Sequence, residues 1–357
     1  MPWLRDMRVV VRLLLMCVAM IALPSWAQAP AQEHAKEQVQ RQQTQPLNNA
    51  PVWRDVRSAE TPPYQTSQVR GIETTVLVQS QGETWRQLRP LLSLGGGIIL
   101  VFVLVGLYGY YRWRGPIGLH DKPTGRFIQR FSDIDRYVHW AMAISFVVLG
   151  VTGLIITFGK YVLLPVIGYT LFSWIAILAK NLHNFVAPIF VVSVPAFIVL
   201  FIRDNLPALH DMQWIVKFGG MLSKSGEHIP SGRFNAGEKA LFWGLVCVFS
   251  VALCISGAVL LFPNYEQGRN IMQVANIVHM ACALLAIAMS CFHIYLGTLG
   301  FKGAYDAMRT GYADETWAKE HHQIWYEEVK AGRARQHTVD QVPAEVRTQI
   351  DQTLRSA

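Results

Sequence analysis

Cysteine is scarce in this chain and poorly placed for chemistry. Five occur in 357 residues, at Cys17, Cys247, Cys254, Cys282 and Cys291, all inside apolar runs. None forms a Cys-x-x-Cys pair, and none precedes a histidine in the pattern for covalent haem attachment. The chain therefore builds no iron–sulfur cluster and no zinc knuckle of its own, and its cysteines read as packing residues. Charge is scarce too, at 16% of residues against 52% hydrophobic, with a mean hydropathy of +0.24. No Gly-rich phosphate loop, basic-aromatic patch or Ser/His/Asp nucleophile motif is present. The net charge of +8 does not point to nucleic acid, because the basic residues flank apolar spans, where they report orientation.

What the sequence has is long apolar blocks. Residues 271 to 300 contain no Asp, Glu, Lys or Arg and are long enough to cross a bilayer as a helix. Earlier blocks of similar length make this an all-α membrane protein. Residues 1–27 read as a signal peptide: Arg5, Arg8 and Arg12, then an apolar stretch from Leu13 to Leu23, then Ser25-Trp26-Ala27. Residues 28–90 are polar and rich in Gln, Ala and Pro. Within them Thr74 to Val78 predicts a short strand and Gln81-Gly82 a turn. Trp53, Trp85 and Arg86 suggest either a partner contact or a small self-packed hairpin.

The first span of the mature chain is residues 91–111. Arg112, Arg114, Lys122, Arg126, Arg130 and Arg136 follow it and mark the cytoplasm by the positive-inside rule. Further spans are expected at about Tyr137–Phe158, Trp174–Ile202, Ala240–Phe262 and residues 271–300. The loop at Lys160 and the loop 263–270 carry little charge and fall outside. The connection 203–239, with Lys217, Lys224 and Arg233, falls inside, as does a charged tail at 301–357. The expected architecture is a four-helix transmembrane bundle over residues 112–300 plus one extra N-terminal transmembrane helix.

Of eleven histidines, four lie in the last four spans: His139, His183, His279 and His293. His279 and His293 are fourteen residues apart, so they lie roughly 21 Å apart along one helix and on the same side of it. Taken alone they read as interhelical hydrogen bonds or as two stacked metal sites. Topology sorts all four by depth. His139 and His293 lie near the cytoplasmic face, His183 and His279 near the periplasmic face. Two bis-histidine b-type haems in the bundle explain all four, making the fold a diheme cytochrome b bundle. Gly150 and Gly153 would let helices approach closely. The doublet His321-His322 reads as a solvated face or a partner contact. A transporter with histidines in its path would need broken helices and polar midplane residues, which the spans hardly contain.

Several stretches together resemble a known family, the cytochrome b556 gamma subunits of respiratory formate dehydrogenase. These are Phe131-Ser132-Asp133-Ile134-Asp135-Arg136-Tyr137-Val138-His139-Trp140, Leu182-His183, Arg233-Phe234-Asn235-Ala236-Gly237-Glu238-Lys239, the His279/His293 spacing, and Trp317-Ala318-Lys319-Glu320-His321-His322. Residues 74–86 and the extra first span are similar to the longer form of that family. The resemblance implies a membrane anchor in a complex with an iron–sulfur beta subunit and a molybdenum- or tungsten-pterin alpha subunit. Electrons would pass through two haem b groups to a quinone, menaquinone or ubiquinone, near the cytoplasmic face. The quinone contacts it implies are Asn235, Gly237 and Glu238, beside His293, with Glu238 standing where the family usually has Gln. It also implies an inner-membrane location and allows a homo-oligomer of heterotrimers. The Asn-Ala-Gly stretch is less in keeping with the alternative, a diheme anchor of a nickel–iron hydrogenase or another molybdoenzyme. From sequence, Glu238 reads equally as a first-turn acid of a helix that Asn235 caps, while for Asn235 the family match favours the quinone.

Overall fold

The computed structural model describes residues 82–221, 229–263, 265, 267–339 and 342–355. The expected signal peptide and the strand at Thr74 to Val78 lie outside the described residues. Five helices are long and apolar enough to cross a membrane. They are α1 (Gly82–Arg114), α2 (Asp133–Val162), α3 (Leu164–Phe201), α5 (Ala236–Leu261) and α6 (Arg269–Gly300). A short helix, α4 (Leu209–Val216), lies between α3 and α5.

Each span is longer than its apolar core suggests. α1 starts at Gly82, nine residues before the expected span. Gly82, Trp85 and Arg86 are helical, where a turn and a small hairpin were expected, while Gln81 and Trp53 lie outside the described residues. Arg86 donates to Glu83 at 2.6 and 2.8 Å, an i,i+3 pair that supports the first turns. α2 begins with a capping box. Ser132 Oγ accepts from the Asp135 N–H and the Asp135 carboxylate accepts from the Ser132 N–H. It runs on through Lys160, so only Leu163 separates α2 from α3, and Gly168 then breaks the helical path with φ of 75°. Two spans widen into π-helical bonding, α5 at Phe242–Ser250 and α6 at Leu296–Gly300. In α5 the Ser250 hydroxyl donates five residues back, to Leu245 O at 2.8 Å.

The spans expose large apolar side chains, such as Phe102, Val105, Ile177 and Val199. In water that would be a fault; in hydrocarbon it is the expected outer surface. α2 packs along α3, and α6 packs against both α1 and α5.

The largest buried apolar cluster among the described residues lies where α3 and α5 meet the chain beyond the spans. The strand β1 (Phe127–Gln129) pairs antiparallel with β2 (Tyr312–Asp314) on one side and β3 (Thr338–Val339) on the other. Around this sheet fold α7 (Ala304–Thr310), α8 (Glu315–His321), α9 (Gln323–Lys330) and α10 (Ala344–Arg355). Phe127, Phe131, Phe201, Phe242, Trp317, Ile350 and Leu354 bury one another there. The residues after 300 thus form a packed cap, where a charged tail was expected.

His322 shows the difference most sharply. It was expected at a solvated face or a partner contact, and it is 2% exposed. Its Nδ1–H donates to Gly232 O at 2.8 Å, and its Nε2 accepts from Arg130 at 3.1 Å. Burial, and the Arg130 guanidinium beside it, hold its pKa well below the ordinary histidine value, so the ring is neutral. His321 packs against the rings of Phe301 and Trp317.

Candidate functional site

The four span histidines meet in two pairs. His139 of α2 faces His293 of α6 with ring centroids 6.2 Å apart, and His183 of α3 faces His279 of α6 at the same 6.2 Å. Within neither pair are the rings hydrogen-bonded to one another among the described residues. Two metal–imidazole bonds of about 2.0 Å, with half a ring at each end, sum to roughly this separation. Among the described residues no cluster of three or more His, Cys, Asp or Glu side chains is placed to hold a metal ion. Pairs of imidazoles suit an iron whose other ligands come from a flat macrocycle. The bundle leaves the space open: His139, His183 and His279 are half-buried and His293 is exposed. Haem therefore fits the donor set and the spacing.

The His183/His279 pair has partners that the sequence reading missed. His183 Nδ1 lies 2.9 Å from Thr152 Oγ1, and His279 Nδ1 lies 3.0 Å from Ser256 Oγ. Each hydroxyl residue is followed by a glycine beneath the ring. A Cβ on Gly153 would lie 3.5 Å from His183 Cε1, and one on Gly257 only 3.2 Å from His279 Cε1. Gly150, which was expected to bring helices together, faces Ile287. A hydroxyl-glycine step at matched depth on two spans is a signal readable in sequence. It was overlooked because it is only two residues long.

At the N-terminus of α5, Asn235 caps the helix. Its Oδ1 accepts from the Glu238 N–H at 3.0 Å, and the Glu238 carboxylate accepts from the Asn235 N–H at 2.8 Å. The other Glu238 oxygen accepts from Arg130 at 3.2 Å. Arg130, 3% exposed, also donates to Arg233 O at 2.8 Å and stacks on Phe131 and Trp317. Arg233 reaches Asp204 and Asp135. Lys239 and Asp211 close a further, buried ion pair at 2.8 Å, tying α4 to α5. Gly237 does not present an open face. A Cβ there would lie 2.6 Å from the Trp214 indole, which covers it. The aromatic ring that approaches Gly237 in this structure is therefore the chain's own.

Residues 130–311, just over half of the chain, match the family model described as prokaryotic cytochrome b561. The cytochrome b556(fdo) subunit of formate dehydrogenase from Escherichia coli (strain K12) is 32% identical over 209 residues, covering 57% of this chain and 93% of that one. The nitrate-inducible cytochrome b556(Fdn) subunit from the same strain is 26% identical over 218 residues, covering 60% and 96%. The formate dehydrogenase cytochrome b556 subunit of Haemophilus influenzae is 27% identical over 197 residues, covering 54% and 79%. All four paired histidines and the α5 capping box lie inside the matched stretch. The chain accordingly belongs to the prokaryotic cytochrome b561 family, with the cytochrome b556 subunits of formate dehydrogenases among its relatives.

Proposed function

We propose that this chain is the membrane anchor and electron-transfer subunit of a formate dehydrogenase. It holds two haem b groups, one between His183 and His279 and one between His139 and His293. The observation that carries this reading is the pair of facing imidazoles at one common spacing, repeated at two depths of a chain related to b556 subunits. Each haem, when bound, supplies a one-electron carrier. Electrons arrive from a periplasmic iron–sulfur beta subunit, fed by a molybdenum- or tungsten-pterin alpha subunit that oxidises formate. They leave from the His139/His293 side to menaquinone or ubiquinone in the surrounding membrane. The chain performs no formate chemistry itself.

The quinone site we assign is the N-terminus of α5, with Asn235, Gly237 and Glu238 near His293. Asn235 Oδ1 is committed to capping, which leaves its amide nitrogen as a donor to a quinone oxygen. A quinone ring reaching Gly237 must stack on or displace Trp214. Glu238 can hand on protons from the cytoplasm only by loosening its bonds to Asn235 and Arg130, and quinone reduction needs two. Replacing it by Gln keeps the cap and changes chiefly the pH dependence of turnover.

Reduced-minus-oxidised spectra of the purified complex test the assignment. His183→Ala and His279→Ala should lose one and the same haem, and His139→Ala and His293→Ala the other. Loss of the same haem from His183→Ala and His293→Ala would sink it. In fully haem-loaded protein, Asn235→Ala should slow formate-to-quinone turnover while both haems still reduce quickly.

A further inference from the structure

The two histidine pairs differ in what stands behind them. Thr152 Oγ1 lies 2.7 Å from Val148 O, four residues back on α2, and Ser256 Oγ lies 2.6 Å from Ala252 O on α5. Both are lengths of an O–H···O bond, while the 2.9 and 3.0 Å contacts to the imidazoles are lengths of an N–H···O bond. A hydroxyl has one hydrogen. A carbonyl can only accept, so that hydrogen is spent on the helix backbone. The hydroxyl oxygen is left to accept from the ring, and each Nδ1 must carry the proton. The lone pair of each ring is then on Nε2, the nitrogen free of the hydroxyl.

Among the described residues the His139/His293 pair lacks this device. His139 Nδ1 is buried and has no hydrogen-bond partner among the described residues. Its ring is packed instead against Trp140 and Phe197.

We propose that Thr152 and Ser256 are positioning residues for the haem between His183 and His279, each fixing the tautomer and angle of one axial ligand through its Nδ1–H. This rests on the ligand assignment above and goes beyond it. A hydrogen bond accepted from Nδ1–H makes the imidazole a stronger electron donor. Stronger donation favours the oxidised iron and lowers its potential. The hydroxyls thus pull down the potential of the periplasmic-side haem alone, which makes transfer toward the unassisted pair downhill. Gly153 and Gly257 serve the same end by leaving the rings room beside the hydroxyls.

The test is an optical redox titration of both haems in the intact complex, with Thr152→Val and Ser256→Ala. Each variant should raise the potential of the haem that His183→Ala removes and leave the other haem's potential where it was. Thr152→Ser and Ser256→Thr should restore it. If Thr152→Val loads no haem, Ser256→Ala reads the same quantity from the other ligand. If neither loads, rescue of loading by the hydroxyl-keeping variants supports the role, and failure of those variants as well overturns it. An unchanged potential in both Thr152→Val and Ser256→Ala, or an equal shift of both haems, also overturns it. If instead His183→Ala and His279→Ala keep both haems, the ligand assignment is what has failed.

Discussion

Asp306 is an acid in the wrong place for an acid. Its side chain is 2% exposed and one carboxylate oxygen has no hydrogen-bond partner among the described residues. Burial pushes its pKa up to about 6, against a smaller opposing pull from Thr353 and Arg309. Between the unfolded value of about 3.9 and the folded value, the folded cap keeps a proton that the unfolded chain has lost. Stability from this residue is therefore greatest below the unfolded pKa and falls as pH rises through the folded one. Asp306→Asn should raise the thermal midpoint at pH 8, and the gain should vanish near pH 4; equal gains at both would refute the linkage. No local pattern announces such a residue. Asp306 sits in the first turn of α7, where an acid reads as a favourable partner of the helix dipole. Its burial comes from chain far away in sequence. The four histidines were legible for the opposite reason, because apolar runs contain so few polar residues that depth alone sorts them.

Helices were legible as apolar runs but not at their ends. Counting charge stops a span at its first Lys or Arg, whereas the backbone stays helical until a cap or a glycine ends it. α2 therefore gains its Ser132 capping box, and α1 gains the Glu83–Arg86 turn. The π-helical stretch of α5 and the Trp214 cover on Gly237 depend on packing between distant segments, which periodicity does not report. The two glycines under the histidine rings are unequal. A methyl on Gly153 would meet His183 at ordinary contact distance, but one on Gly257 would press on His279. Gly257→Ala should reduce haem content per polypeptide more than Gly153→Ala does. Pyridine haemochrome assay of the two variants decides it, and equal content would refute the packing difference.

At the scale of the molecule, basic residues gather on one side. Lys122, Arg126, Arg130 and Arg136 lie between α1 and α2, and Lys302, Arg309 and Lys319 follow α6. The positive-inside rule predicts that this face is cytoplasmic and that the loop carrying Tyr265 is periplasmic. In intact spheroplasts an impermeant thiol reagent should label Tyr265→Cys and spare Arg333→Cys. The reverse would invert the molecule and exchange the faces of the two histidine pairs. The number of spans follows from hydropathy, but the cap was missed. Its strands are only two and three residues long and its partners lie some 200 positions apart.

That separation also sets an order in time. Phe127–Gln129 leaves the ribosome early, before any of the paired histidines, and its second neighbour, Thr338–Val339, is about 200 residues behind it. At about 5–20 residues per second, the middle strand waits roughly 10–40 s for its sheet to be completed. The last span ends at Gly300, 38 residues before Thr338, so for about 2–8 s of that interval all four spans of the bundle have been made while the end that carries the cap stands unlatched. The newborn protein thus has a period in which a bulky, flat molecule can slip between its helices, and the last segment made shuts the door.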